Sequence, residues 1–205
     1  VQFGEVGVSR ASAHVAVVEL QRPPDNTVDT GFVRDIADAI EHLEADMECR
    51  SIVLCSQGKH FCAGGRLGGE DPIKAAAGLP QNPIYAQALR LFRGSIPIVA
   101  AVQGAAVGAG LGLALACDFR VTCPEARFSG NFARLGTHTG FGVSATLPRL
   151  VGEAAALDML YTGRRVTGEE AVAMGLCQHL VAADEVRAKA IEVAEDIAVS
   201  APLSL

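Results

Sequence analysis

A run of 22 residues without a single charge, Ile96 to Cys117, constrains this chain more than any other feature. It is long enough to cross a bilayer. It also contains Pro97 and Gln103, is half Gly and Ala, and lacks a Trp, Tyr, Lys or Arg anchor at both ends. A buried strand, "PIVAAVQG" from Pro97 to Gly104, followed by a buried helix near Gly108 to Ala116 accounts for it better. A chain that buries such a run needs a sheet covered on both faces, and the surrounding pattern supplies the rest of one.

Strand-like and helix-like segments alternate along the sequence. "HVAVVEL" (His14 to Leu20) reads as a strand, "RPPDN" (Arg22 to Asn26) as a loop, and Thr30 as the cap of a helix carrying Phe32, Val33, Ile36, Ile40 and Leu43 on one face. "SIVLCS" (Ser51 to Ser56) is a short apolar strand, Gly58 to Pro72 a Gly-rich loop, and residues 83–93 suit a helix. "DFRVTC" (Asp118 to Cys123) is another strand. Helices are expected near 143–150, 153–161, 168–174 and 184–199, with a last strand near 177–181. This alternation defines the α/β class. With 205 residues and half of them hydrophobic, one domain is expected over 1–205.

Within the charge-free run, "GAAVGAGLGLALACD" (Gly104 to Asp118) feeds glycines into a helix. A dinucleotide fingerprint fails, because Leu113 stands where the third glycine belongs and no acid follows at the required distance. A phosphate-cradling P-loop fails for want of the Gly-Lys-Ser/Thr ending. Close packing of a helix on a sheet is one remaining reading. The other is an oxyanion site, since glycine admits a carbonyl to the unpaired N–H groups of a helix start. Such a site needs two converging donors, and a second Gly-rich turn, "FCAGG" (Phe61 to Gly65), follows another strand and can supply one.

"HFCAGGRL", then "IPIVAAVQGAAVGAGLGLALACDFRV", "ARFSGNFARLGTHTGFGVSATLPRLVG" and "ALDMLYTGRRVTGEEAVAMGL" together resemble the enoyl-CoA hydratase/isomerase, or crotonase, superfamily over nearly the whole chain. The resemblance implies a spiral of ββα units with C-terminal helices, the last part of which is incomplete at residue 205. It implies a coenzyme A thioester as substrate, with its carbonyl held by the backbone N–H groups of Gly65 and Ala109 so that an enolate is stabilised. It implies a homotrimer or hexamer, no tightly bound cofactor, and neighbours of the substrate at Arg22, Ala63, Gly64, Arg66, Leu67, Gly108, Gly112, Asn131 and Phe132.

The chain departs from the hydratase pattern at two of those positions. Gly112 and Phe132 stand where typical hydratases carry the two glutamates that activate water and deliver a proton. His138, in "GTHTG", is the first candidate to replace them, as an imidazole can act as acid or base near neutral pH. Glu70 and Asp71 are further candidates, and Tyr85 and His60 read as packing and structural residues. Isomerase, decarboxylase or hydrolase chemistry fits better than efficient hydration. A non-catalytic acyl-CoA-binding or scaffold member of the same fold is the alternative.

Charge and cysteine usage exclude other classes. A net charge of -6 without a basic stripe argues against nucleic acid and anionic membrane as partners. The six cysteines form no zinc spacing, so no metal site is expected. They read as reduced, buried thiols of a cytoplasmic protein, and no signal peptide is evident at the start.

Overall fold

The computed structural model describes residues 1–65 and 83–201. Its main layer is a seven-stranded sheet, in the order β1 (Gln2–Phe3), β2 (Val6–Arg10), β3 (Val15–Leu20), β4 (Ser51–Ser56), β5 (Ile98–Val102), β7 (Phe119–Thr122) and β10 (His179–Leu180). β1 to β3 pair antiparallel, and β3 through β10 run parallel. The central strands β3, β4 and β5 are buried almost end to end, as a parallel sheet covered on both faces requires. A second, three-stranded sheet holds β6 (Ala105–Val107), β8 (Arg127–Ser129) and β9 (Val166–Thr167).

Helix α1 (Thr30–Glu44) turns Phe32, Val33, Ile36, Ile40 and Leu43 into the core. Its cap is Asp29, not Thr30: the Phe32 amide donates to Asp29 Oδ1 at 2.9 Å. A carboxylate there also meets the positive end of the helix dipole, which a hydroxyl does not. Helix α2 (Pro83–Leu91) lies against α1, where Arg90 bridges Asp38 and Glu41 at 2.6 Å each. These pairs lower the Glu41 carboxyl pKa and raise that of the guanidinium.

The charge-free run is resolved as β5, β6 and the short helix α3 (Ala109–Leu115). The chain thus leaves the large sheet at Gln103–Gly104 and enters the small one before turning helical. Helices α4 (Val143–Val151), α5 (Glu153–Thr162), α6 (Gly168–Ala173) and α7 (Val186–Ala198) follow. Among the described residues no helix is long and apolar enough to cross a membrane.

The sequence pattern missed β1, β2, β6, β8 and β9, and the final strand is only two residues long. β2 is apolar at its start and exposed at its end, so it never alternates. β6 and β8 have three residues each, too few for a period-2 signal.

Candidate active site

Two glycine-rich turns are laced together side by side. Cys62 and Ala106 form a parallel bridge. The Cys62 amide donates to the Ala105 carbonyl at 2.9 Å, and the Val107 amide donates to the Cys62 carbonyl at 3.1 Å. The bridge pairs residues 44 apart (106 − 62), which is also the offset between Gly65 and Ala109 (109 − 65). Among the described residues, no backbone carbonyl accepts from the amide of Gly65 or Ala109. Ala109 is the first residue of α3, where an N–H has no intrahelical partner. Both residues line one cavity of about 200 Å³.

Backbone conformation explains why glycine is required here. Gly64 adopts φ 111° and Gly108 φ 55°, a region in which L side chains are strained. At Gly110 the constraint is close approach: a β-carbon there would stand 2.0 Å from the Cys62 carbonyl oxygen.

The first turn is held from outside by Asn26, which the sequence reading passed over. Its buried side chain donates to the carbonyls of Gln57 and His60 at 2.8 and 2.7 Å and accepts from the Arg22 amide at 2.9 Å. The Ala63 amide donates to the Asp25 carbonyl at 2.8 Å. His60 fastens the same turn to β6, its Nδ1 accepting from the Ala105 amide at 3.1 Å. That bond gives His60 the structural role expected of it. At the far end of α3, the buried Arg120 donates to the carbonyls of Cys117 and Ala114 at 2.5 and 3.3 Å. A cation at a helix C-terminus complements the dipole.

The opposite wall is made of side chains. Ile84, Tyr85, Asn131, Phe132, Leu135, Thr137, His138 and Phe141 complete the lining. Phe132 opens a 3₁₀ turn (Ala133–Leu135), and its carbonyl accepts from the Thr137 amide and hydroxyl at 3.1 and 3.2 Å. His138 is exposed, with Nδ1 3.0 Å from the Thr139 carbonyl. Asn131 points its Oδ1 toward Gly108, since a β-carbon on that glycine would lie 3.3 Å from it. Among the described lining residues none is Asp, Glu, Lys or Arg. The ionisable groups there are His138 and Tyr85.

Gly112 carries the most informative contact. A β-carbon at this position would stand 2.7 Å from Cβ, Cδ1 and the carbonyl oxygen of Phe141. The space a longer side chain would need at 112 is occupied by a phenyl ring. No sequence periodicity announces this, although the Gly140-Phe141-Gly142 triplet is its trace.

The remaining predicted residues divide plainly. Ala63, Gly64, Gly65, Gly108, Ala109, Asn131, Phe132 and His138 line the cavity together. Arg22 does not. Its guanidinium pairs with Glu5 and Asp29 at 2.6 and 2.9 Å, donates to the Thr27 carbonyl at 3.1 Å and sits 4.3 Å over the Phe32 ring. Those partners give it an architectural role, clamping the end of β3 to the start of α1. Arg66, Leu67, Glu70 and Asp71 lie outside the described residues. Asp118 Oδ2 accepts from the Ile98 amide at 2.8 Å, which ties it to the backbone. Cys62, beneath the first turn, is fully buried and burial pushes its thiol up to about 12, so it is no nucleophile at neutral pH. All six cysteines are free and buried. Among the described residues no cluster of His, Cys, Asp or Glu is placed to hold a metal ion.

This arrangement of a spiral α/β fold around a pair of backbone turns belongs to a known class. Residues 10–205 match the family described as enoyl-CoA hydratase/isomerase, and the chain is a member of it. Among relatives, the Mycobacterium tuberculosis protein named "Probable enoyl-CoA hydratase echA14" is 38% identical over 189 residues, 88% of this chain and 71% of its own. The (E)-benzylidenesuccinyl-CoA hydratase of Thauera aromatica is 34% identical over 199 residues, covering 95% of this chain and 77% of its own. The crystal structure of enoyl-CoA hydratase from Bacillus anthracis superposes with a TM-score of 0.88 at 30% identity, covering 97% of this chain and 78% of that one.

Proposed function

We propose that this protein is an acyl-CoA-processing enzyme that stabilises a thioester enolate between the backbone N–H groups of Gly65 and Ala109. The observation that carries the reading is the shared register of the two turns, with both amides lacking a backbone acceptor among the described residues and both residues lining one cavity. Preorganised donors of this kind need no reorganisation as charge develops on the carbonyl oxygen, and each lowers the barrier by about 3–4 kcal/mol. Coenzyme A enters as part of the substrate, and no separate cofactor is invoked.

The chemistry proposed is not efficient hydration. Gly112 and Phe132 replace the two acids of the typical hydratase, and the packing of Phe141 against Gly112 leaves no room for one of them. Isomerisation, decarboxylation or hydrolysis with an enolate intermediate fits the site better, with His138 as proton carrier. A binding protein without turnover is the second reading, favoured by the absence of any carboxylate among the described lining residues. We further propose a cytoplasmic homotrimer or hexamer. Exposed Leu135, Leu157 and Tyr161 offer apolar surface for contacts between subunits.

The test follows the loss of enoyl-thioester absorbance with crotonyl-CoA. The expected outcome is binding with hydration at least ~100-fold slower than a two-glutamate enzyme, given what each general acid or base contributes. Residual activity should fall further in His138→Ala. Hydratase-like rates in the wild type would overturn the argument. Turnover of any one thioester in a broad panel excludes the binding-protein reading.

A further inference from the structure

The cavity beside Gly65 and Ala109 is not the whole of the apolar space at this end of the molecule. A second cavity, of about 460 Å³, runs between α2 and α4 and is lined by Ala88, Leu89, Phe92, Ala145 and Thr146 among others. Two residues line both spaces: Tyr85 and Phe141. They stand between the inner cavity and the outer groove.

Their placement is built by three glycines. Phe141 rests on Gly112, with only 3% of its surface exposed and a φ of 55°. Tyr85 lies on Gly140, where a β-carbon would meet its hydroxyl oxygen at 2.2 Å. The Phe92 ring lies on Gly142, where a β-carbon would meet it at 2.7 Å. Gly112 follows Ala109 by three residues, so the two share a face of α3, about one turn apart. A carbonyl held at Ala109 would therefore direct its acyl chain along the face that Phe141 closes.

Resting on the acyl-thioester reading above, we propose that Tyr85 and Phe141 form a partition that limits this enzyme to short acyl groups. A cavity of about 200 Å³ is small beside the ~300–1,000 Å³ typical of sites for drug-sized ligands. Its apolar lining by Ile84, Val107, Phe132 and Leu135 suits a short hydrocarbon chain. The outer groove is apolar as well, so removing the partition would join two spaces that both accept methylene groups.

The experiment measures dissociation constants for acetyl-, butyryl-, octanoyl- and dodecanoyl-CoA with the wild type, Tyr85→Ala, Phe141→Ala and Phe141→Leu. Tyr85 is partly exposed, so Tyr85→Ala tests the partition even if the substitutions of buried Phe141 fail to fold. The wild type should bind butyryl-CoA at least tenfold more tightly than octanoyl- or dodecanoyl-CoA. In Tyr85→Ala the ratio of octanoyl to butyryl affinity should rise at least tenfold. Phe141→Ala should raise it further than Phe141→Leu. A wild type that binds all four equally, or variants that keep the wild-type ratio, would overturn the partition while leaving the thioester reading in place. A wild type that binds none of the four would overturn the thioester reading and the partition with it.

Discussion

The two walls of the cavity are made in opposite ways. One wall, residues 61–65 and 105–112, is backbone. It is laced by a parallel bridge, largely buried, and holds glycines with no room for a methyl group. The other, from Asn131 to His138, is side chain. Residues 133–138 are exposed, and the bonds of Thr137 and His138 there are to neighbours in the chain. On the function proposed above, the first wall would hold a carbonyl in a fixed place whatever is attached to it. The second would act on the atoms next to that carbonyl, and its exposed residues can change without disturbing the core. A fold built this way would keep one electrostatic device and vary the reaction.

Substitutions should separate the walls by size of effect. Gly110→Ala drives a methyl into the backbone of Cys62, where neither partner can yield. Its cost should reach or exceed the upper end of the ~1–3 kcal/mol of ordinary overpacking, measured as a drop in the urea midpoint, and thioester binding should be lost with it. An unchanged midpoint would mean that the two turns are not locked as described. Gly112→Ala presses on Phe141, a side chain whose ring can tilt although its carbonyl cannot. It should lose about 1–3 kcal/mol, and Gly112→Ala combined with Phe141→Leu should recover part of that loss. Equal stability of the single and double variants would break the link between these two residues.

A more diffuse effect, spread over several buried groups, should appear at high pH. Burial raises the thiols of Cys55 to about 11 and of Cys62, Cys117 and Cys177 to about 12, against 9.0 for a free thiol. The folded state keeps them protonated where the unfolded chain would ionise. Their contribution is therefore complete below pH 9 and lost progressively as pH rises toward 11 to 12. Urea midpoints across pH 8 to 11 should fall, whereas a flat profile would mean that these thiols are accessible. The smallest effect on stability belongs to the side-chain wall. His138→Ala should stay within about 0.5 kcal/mol of the wild type, as exposed substitutions usually do, while lowering turnover. A large loss of stability there would give His138 a structural role instead.

Much of this comparison was readable from the sequence. The charge-free run gave a buried strand and helix, and the two Gly-rich turns gave the backbone wall through the family resemblance. Glycine leaves a mark in sequence because nothing else tolerates the conformation at Gly64 and Gly108. What escaped is what depends on contacts across the chain. Asn26 acts through carbonyls more than 30 residues away, and Phe141 matters because it lands on Gly112. Arg22 looked available as a neighbour of the substrate because nothing in the sequence reveals Glu5 and Asp29 beside it. The three small-sheet strands β6, β8 and β9 were too short to show a period.

The claim that matters most is that the amides of Gly65 and Ala109 polarise a thioester carbonyl. It is tested most directly by the carbonyl stretching frequency of butyryl-CoA labelled with carbon-13 at the thioester carbon, recorded by isotope-edited infrared difference spectroscopy. Two converging N–H donors predict a bound carbonyl shifted to lower frequency than in water. Ala109→Pro removes one donor at a first-turn position that tolerates proline, and it should move the band back toward its free value in a protein that remains folded. A bound carbonyl at the same frequency as in water, or an identical shift in folded Ala109→Pro, would contradict the account.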